Sequence, residues 1–100
     1  MNFVYADITQ KSNLYGNTDP VGLTEKYGSP LYVYNETILR HRCRDMKNLV
    51  AYPNFVVTYS MKANGNLALL KIVRDEGLNV DTMSPGEAYI ALQAGFKPED

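Results

Sequence analysis

Between Phe55 and Lys62 the chain alternates strictly, with Phe55, Val57, Tyr59 and Met61 falling to one side and Val56, Thr58, Ser60 and Lys62 to the other. A period of two predicts a strand. The first side is bulky and the second compact. A strand covered on both faces, with its smaller side chains on one of them, suits a closed parallel barrel whose interior is narrower than its helix-covered exterior. Lys62 is then expected on the inner face, at the C-terminal end of the strand. Leu78 to Met83 alternates in the same way, Leu78, Val80 and Thr82 against Asn79, Asp81 and Met83. Between the two strands, the pattern of Leu69, Leu70, Ile72 and Val73 predicts a helix capped by Asn66 and stopped by Gly77. After the second strand, Ser84-Pro85-Gly86-Glu87 has the form of a capping box with proline at the first helical position. The helix it opens is expected to reach about Ala94, where Gly95 closes it and Pro98 prevents its continuation.

Upstream, Asp19 and Pro20 predict a short helix start, with Gly28 as the stop after Tyr27. Ser29-Pro30 turns the chain into Leu31-Tyr32-Val33-Tyr34, a strand-like run, after which Asn35 is placed to cap a further helix with Glu36 near its positive end. In that helix Leu39, Cys43, Met46 and Val50 recur at spacings of four, three and four. Arg40, Arg44, Asp45 and Lys47 are left for solvent, and Pro53 is the expected terminator. Met1 to Asn17 has no clean periodicity and reads as loop. From Phe55 the order is strand, helix, strand, helix with short connections, the pattern of parallel βα units. A complete eightfold barrel takes about 250 residues. The chain therefore reads as the N-terminal portion of a longer protein, with residues 1–34 as a lead-in segment and residues 35–100 as the first βα units of an incomplete barrel.

Composition narrows the chemistry. A formal net charge of -1 and a pI of about 5.7 leave no basic stripe, so nucleic acid is not an expected partner. The start, Met1-Asn2-Phe3-Val4-Tyr5-Ala6-Asp7, does not resemble a signal peptide, and no apolar run approaches the roughly 18 residues of a membrane span. A cytoplasmic location without a membrane partner is the expectation. The single cysteine, Cys43, cannot form an internal disulfide or a thiolate metal site alone, and no metal is expected. Lys62 is the candidate reactive group, because burying a lysine favours its neutral amine, a nucleophile toward aldehydes. Read from its pattern alone, it is equally a strand-end lysine reaching solvent. Asp81 on the neighbouring strand is a candidate partner or an ordinary strand-end carboxylate. Glu87 and Ser84 are accounted for by the capping box, although the helix they open also presents backbone N–H groups near the site. His41 reads as surface or packed, Cys43 as core, and Tyr27, Tyr32, Tyr34, Tyr52 and Tyr59 as packing.

Tyr59-Ser60-Met61-Lys62-Ala63-Asn64 resembles the cofactor-lysine motif of the pyridoxal-phosphate enzymes that share the alanine racemase type of barrel. Asp81-Thr82-Met83-Ser84-Pro85-Gly86-Glu87 resembles the second motif of the decarboxylase branch, and the nineteen-residue separation of Lys62 and Asp81 matches it. Gly28-Ser29-Pro30-Leu31-Tyr32-Val33-Tyr34 and Ala94-Gly95-Phe96 resemble flanking segments of the diaminopimelate decarboxylase family, so the likeness runs from about Asp19 to Asp100. It implies an α/β fold, the N-terminal portion of a pyridoxal-phosphate-binding (β/α)8 TIM barrel. The short N-terminal segment would belong with a C-terminal β domain. The same likeness makes Lys62 the residue that carries pyridoxal 5'-phosphate covalently and Asp81 a cofactor-binding residue. It further implies a carboxy-lyase acting on a small amino acid, meso-diaminopimelate to L-lysine and carbon dioxide, and working as a homodimer. The phosphate loops, the stacking histidine and the substrate-selecting residues of the family would follow Asp100, so residues 1–100 alone are expected to be inactive. Pro85 replaces the family's more usual small residue. An amino-acid racemase is ranked lower, because its motif usually continues into Ala-Tyr-Gly where this chain has Asn64-Gly65-Asn66-Leu67. Decarboxylation of ornithine, arginine or carboxynorspermidine stays open, and so does a non-catalytic interaction module.

Overall fold

A computed structural model describes residues 13–100, which divide into one unit ending at Asn35 and a second unit, Glu36–Asp100. Residues 1–12 of the expected lead-in, with most of the stretch read as loop, lie outside the described residues. In the first unit a 3-10 turn at Asn13–Tyr15 precedes helix α1, Pro20–Tyr27. Its start follows the sequence closely. Asp19 is extended and its carboxylate accepts from the Gly22 N–H at 3.2 Å, while Pro20 gives up an N–H that would have no partner in the first turn. Gly28, at φ 90°, ends it and donates to the Thr24 carbonyl. Leu31–Tyr34, expected as strand-like, is not a strand; the sheet of the described residues consists of two strands further along the chain. Asn35 donates its side-chain amide to the Leu14 carbonyl at 2.7 Å. Tyr27, Tyr32 and Tyr34 were expected to pack, yet all are exposed, Tyr32 at 87%; the Tyr27 ring lies under the Lys26 ammonium at 5.1 Å.

The second unit contains α2 (Glu36–Lys47), β1 (Thr58–Ser60), α3 (Leu67–Asp75), β2 (Asn79–Asp81) and α4 (Pro85–Gln93). The strands pair in parallel, with Thr58 opposite Asn79, Tyr59 opposite Val80 and Ser60 opposite Asp81. The alternation expected for Phe55–Lys62 holds, but the strand is shorter than expected. It begins at Thr58, although Val57 already accepts from the Asn79 N–H at 2.9 Å, and it ends at Ser60 because Met61–Ala63 winds into a 3-10 turn. Lys62 therefore sits just beyond the strand and not within it. On the other edge of β2 the Val80 N–H donates to the Asp100 carbonyl at 3.3 Å. The chain leaving α4 thus returns alongside β2, as a run of parallel βα units requires. Two paired strands with helices following each of them fit part of an α/β barrel.

One face of the strand pair makes the core. Tyr59, Val57 and Val80 pack against a buried cluster of Cys43, Met61, Leu70, Val73, Leu78, Ala91, Ala94 and Phe96. Leu70 is fully buried. Helices α3 and α4 end by the same device. Gly77 (φ 85°) and Gly95 (φ 97°) donate to the carbonyls of Arg74 and Leu92, and the next residues, Leu78 and Phe96, donate to Val73 and Ala91. These are Schellman closures, which need a left-handed residue and place an apolar side chain back on the helix it leaves. A Cβ at Gly77 would also approach the Lys47 ammonium at 2.6 Å.

Helix α2 departs from expectation at its end and on its polar face. It stops at Lys47, six residues before Pro53, and Leu49 donates to Met46 three residues back in a tightened last turn. Met46 and Val50, expected on the apolar stripe, are exposed, while Cys43 is buried and Leu39 half-buried. Arg40, Arg44 and Lys47 do not simply face solvent. Arg44 meets both oxygens of Glu76 at 2.9 and 3.1 Å, Arg40 meets the same carboxylate at 3.1 Å, and the Lys47 ammonium donates to the Glu76 carbonyl at 3.0 Å. Glu76 caps the C-terminus of α3 and its side chain is only 10% exposed. Hydrogen bonds from Arg44, and then from Arg40, hold its carboxyl below the usual carboxylate range. The depressed value in the folded state means that this stabilisation is complete above the ordinary carboxyl pKa of 4.5 and is lost as pH falls through the folded value. Acid unfolding should therefore be steeper below about pH 4.5 for the native chain than for Glu76→Gln; equal slopes would contradict the coupling. Leu70→Ala, measured by denaturant unfolding, is expected to cost about 2–5 kcal/mol, because the site is fully enclosed.

Candidate functional site

The strand face opposite the core carries Thr58 and Ser60 from β1 and Asn79 and Asp81 from β2, small polar side chains that the pleat turns away from Tyr59 and Val80. Thr58, Ser60 and Asp81 are exposed. Both connections at the C-terminal ends of the strands open over this end of the unit. The first, Met61 to Asn66, bears Lys62, and the second, Thr82 to Ser84, leads from Asp81 into α4.

The Lys62 connection is held at several points. Met61, next to the lysine, is buried to 2% exposure and fixes one end of the turn in the core. The Tyr59 hydroxyl donates to the Asn64 carbonyl at 2.9 Å across the turn. The Asn64 side chain accepts from the Asn66 N–H at 3.0 Å, and the Asn66 side chain accepts from Ala68 and Leu69, capping α3. An Asn-Gly-Asn sequence forms this arrangement readily, since Asn side chains bond to backbone amides two and three residues ahead. Lys62 is left projecting from an ordered turn. Its side chain is exposed, and among the described residues no hydrogen bond or ion pair engages it.

The Asp81 connection is equally organised. The Glu87 N–H donates to the Ser84 hydroxyl at 3.1 Å, and the Glu87 carboxylate returns to accept from the Met83 N–H at 3.3 Å. The capping box read from the sequence is present, with its reciprocal bond shifted one residue upstream. Ser84 and Glu87 are thereby committed to starting α4.

Lys62 and Asp81 lie at the same end of the unit. Asp81 is opposite Ser60, two residues before the lysine, and no ion pair links Lys62 to Asp81 among the described residues. The chain leaves the strand at Met61, so the lysine stands beyond the paired residues. Nor is Lys62 buried: the inner-face position expected of it is an open surface in these residues. His41 is exposed with its ring 3.3 Å from Asp45, and Cys43 is core, where burial pushes its thiol up. The sequence reading missed the Tyr59 bond, since alternation assigns that residue only to packing. The signal that could have found it is chemical: a half-buried tyrosine needs a partner for its hydroxyl.

A primary amine that no neighbour occupies, on an ordered turn beside a polar strand face with a carboxylate at the same end, fits an aldehyde cofactor such as pyridoxal phosphate. A shallow groove of about 150 Å³ lined by Lys47, Phe55, Val56, Val57, Gly77 and Asn79 lies at the N-terminal ends of the strands, away from these residues.

Comparison with known proteins identifies the family. Residues 36–100 match the family described as pyridoxal-dependent decarboxylase, pyridoxal binding domain. A diaminopimelate decarboxylase of Methanothermobacter thermautotrophicus is 44% identical over 88 residues, 86% of this chain and 21% of that protein. One from Bacillus methanolicus is 39% identical over 89% of this chain and 21% of its own length, and one from Bacillus subtilis 40% identical over 84% and 20%. The chain thus spans about a fifth of the length of these relatives. No solved structure is a significant match. With the family match covering the whole second unit, strands, Lys62 and Asp81 included, the chain belongs to the pyridoxal-dependent decarboxylases, as part of their pyridoxal binding domain.

Proposed function

We propose that this chain is the N-terminal part of a pyridoxal-phosphate-dependent amino-acid decarboxylase, acting on meso-diaminopimelate to give L-lysine and carbon dioxide. The observation that carries the reading is the unengaged amine of Lys62 at the C-terminal end of β1, within a segment that matches a pyridoxal-binding domain. Support for the substrate comes from the names of the relatives. In this reading β1 and β2 are the first strands of a (β/α)8 barrel, residues 1–34 form the lead-in, and the enzyme is a cytoplasmic homodimer.

Bound pyridoxal phosphate supplies an electron-accepting ring that stabilises the carbanion left when a carboxylate departs. The protein's share in these residues is positional. Lys62 would hold the cofactor covalently through its ε-amine and, with that amine free, would carry a proton to or from the reacting carbon. Asp81 would accept a hydrogen bond from the cofactor. The turns bearing both residues satisfy their own backbone groups through Asn64, Asn66, Ser84 and Glu87, so little reorganisation is needed when the cofactor arrives.

In the full-length chain, Lys62→Ala is expected to abolish the visible absorbance of bound pyridoxal phosphate and the release of carbon dioxide from meso-diaminopimelate. An undiminished band in that variant would remove Lys62 from the role. Inversion of the substrate without carbon dioxide release would instead favour a racemase. Asp81→Asn should weaken pyridoxal phosphate binding by about tenfold, the worth of one hydrogen bond to a charged group; unchanged affinity in a cofactor titration would limit Asp81 to an ordinary strand-end carboxylate.

A further inference from the structure

Among the described residues, Tyr59 links the core to the far end of the Lys62 turn. Its ring packs with Val57 and Val80 on the core face of the strands, while its hydroxyl reaches five residues ahead to the Asn64 carbonyl at 2.9 Å. The bond closes a ring of chain that begins on β1, passes through Met61, Lys62 and Ala63, and ends at the residue after the 3-10 turn. A 3-10 turn of three residues holds itself poorly, because few internal hydrogen bonds fix it and their geometry is weak. Two external anchors replace them here. The buried Met61 side chain fixes the turn before Lys62, and the Tyr59 hydroxyl fixes it after. Lys62 lies between the two anchors and has no restraint of its own.

From this geometry we propose that Tyr59 is a positioning residue for Lys62, its hydroxyl holding the turn so that the lysine amine meets the cofactor in one orientation. The proposal rests on the reading of Lys62 as the cofactor-bearing lysine. It differs from a packing role in one respect: packing belongs to the ring and positioning to the hydroxyl, so Tyr59→Phe separates them. Covalent attachment tolerates a loose turn, whereas proton transfer by the freed amine requires that amine to stand at a fixed place beside the reacting carbon, and a displacement of about 1 Å can cost a hundredfold in rate.

The test is Tyr59→Phe in the full-length protein. Amide hydrogen exchange on the cofactor-free protein should accelerate for residues 61–66 and stay unchanged on α3 and α4, with the thermal midpoint close to that of the native chain. With pyridoxal phosphate bound, the visible circular dichroism of the cofactor should fall at equal occupancy. The kcat for meso-diaminopimelate should drop about tenfold or more, with KM altered less than about threefold. Native exchange, dichroism and kcat in the variant would overturn the proposal, and so would a general collapse of the thermal midpoint, which would make Tyr59 a core residue only. Lys62→Ala keeps the two readings apart. If that variant retains the cofactor band, the role of Lys62 fails and the positioning role with it, while the exchange rates of the cofactor-free Tyr59→Phe protein still report whether the tether exists.

Discussion

The parallel pairing of β1 with β2 is the constraint on which the rest of this unit depends. With Tyr59 opposite Val80, the pleat sends Val57, Tyr59 and Val80 into the helices and leaves Thr58, Ser60 and Asp81 on the other face. A slip of one residue in either strand would exchange the faces, burying a carboxylate and exposing the core residues. The register is held because the core side has shape to fill: Tyr59 and Val80 pack against the cluster that contains Met61, Leu70, Val73 and Ala91. The polar face, and with it the chemistry, is what remains when the apolar face has been satisfied.

The two ends of the strands divide the labour. At their N-terminal end, Arg40, Arg44 and Lys47 of α2 converge on Glu76 at the close of α3, an ion-pair network joining two helices distant in sequence. At their C-terminal end the turns carrying Lys62 and leading from Asp81 are tied by short-range bonds from Asn and Ser side chains and from Tyr59. In the proposed reading this separates a stabilising end from a reactive one, as barrel enzymes do with catalytic groups at the C-terminal ends of strands.

What could be read from the sequence was what is decided locally. Asp19 with Pro20, Asn66, and Ser84 with Pro85 start helices as expected, and Gly28, Gly77 and Gly95 end them at positive φ, because each cap is a bond between neighbours along the chain. The readings that failed depend on distant partners. Helix α2 ends at Lys47 where Pro53 was the expected stop, in a region whose last basic residue is engaged by Glu76, 29 positions away. Leu31–Tyr34 has the composition of a strand but forms no strand among the described residues. The strand before Lys62 ends at Ser60 because Met61 turns inward to the core, a choice that alternation cannot register. For the candidate site, the placement of Lys62 and Asp81 at one end of the unit was legible from the strand pattern, whereas the exit of the chain at Met61 and the Tyr59 tether required the backbone path through Met61–Ala63.

The central claim, that the Lys62 amine carries the cofactor, is tested most directly by borohydride reduction of the full-length protein in pyridoxal phosphate, followed by digestion and mass mapping. A single pyridoxyl group on the peptide containing Lys62, with Lys47, Lys71 and Lys97 unmodified, is the expected result. An adduct on another lysine, or one scattered over several, would contradict the assignment of Lys62.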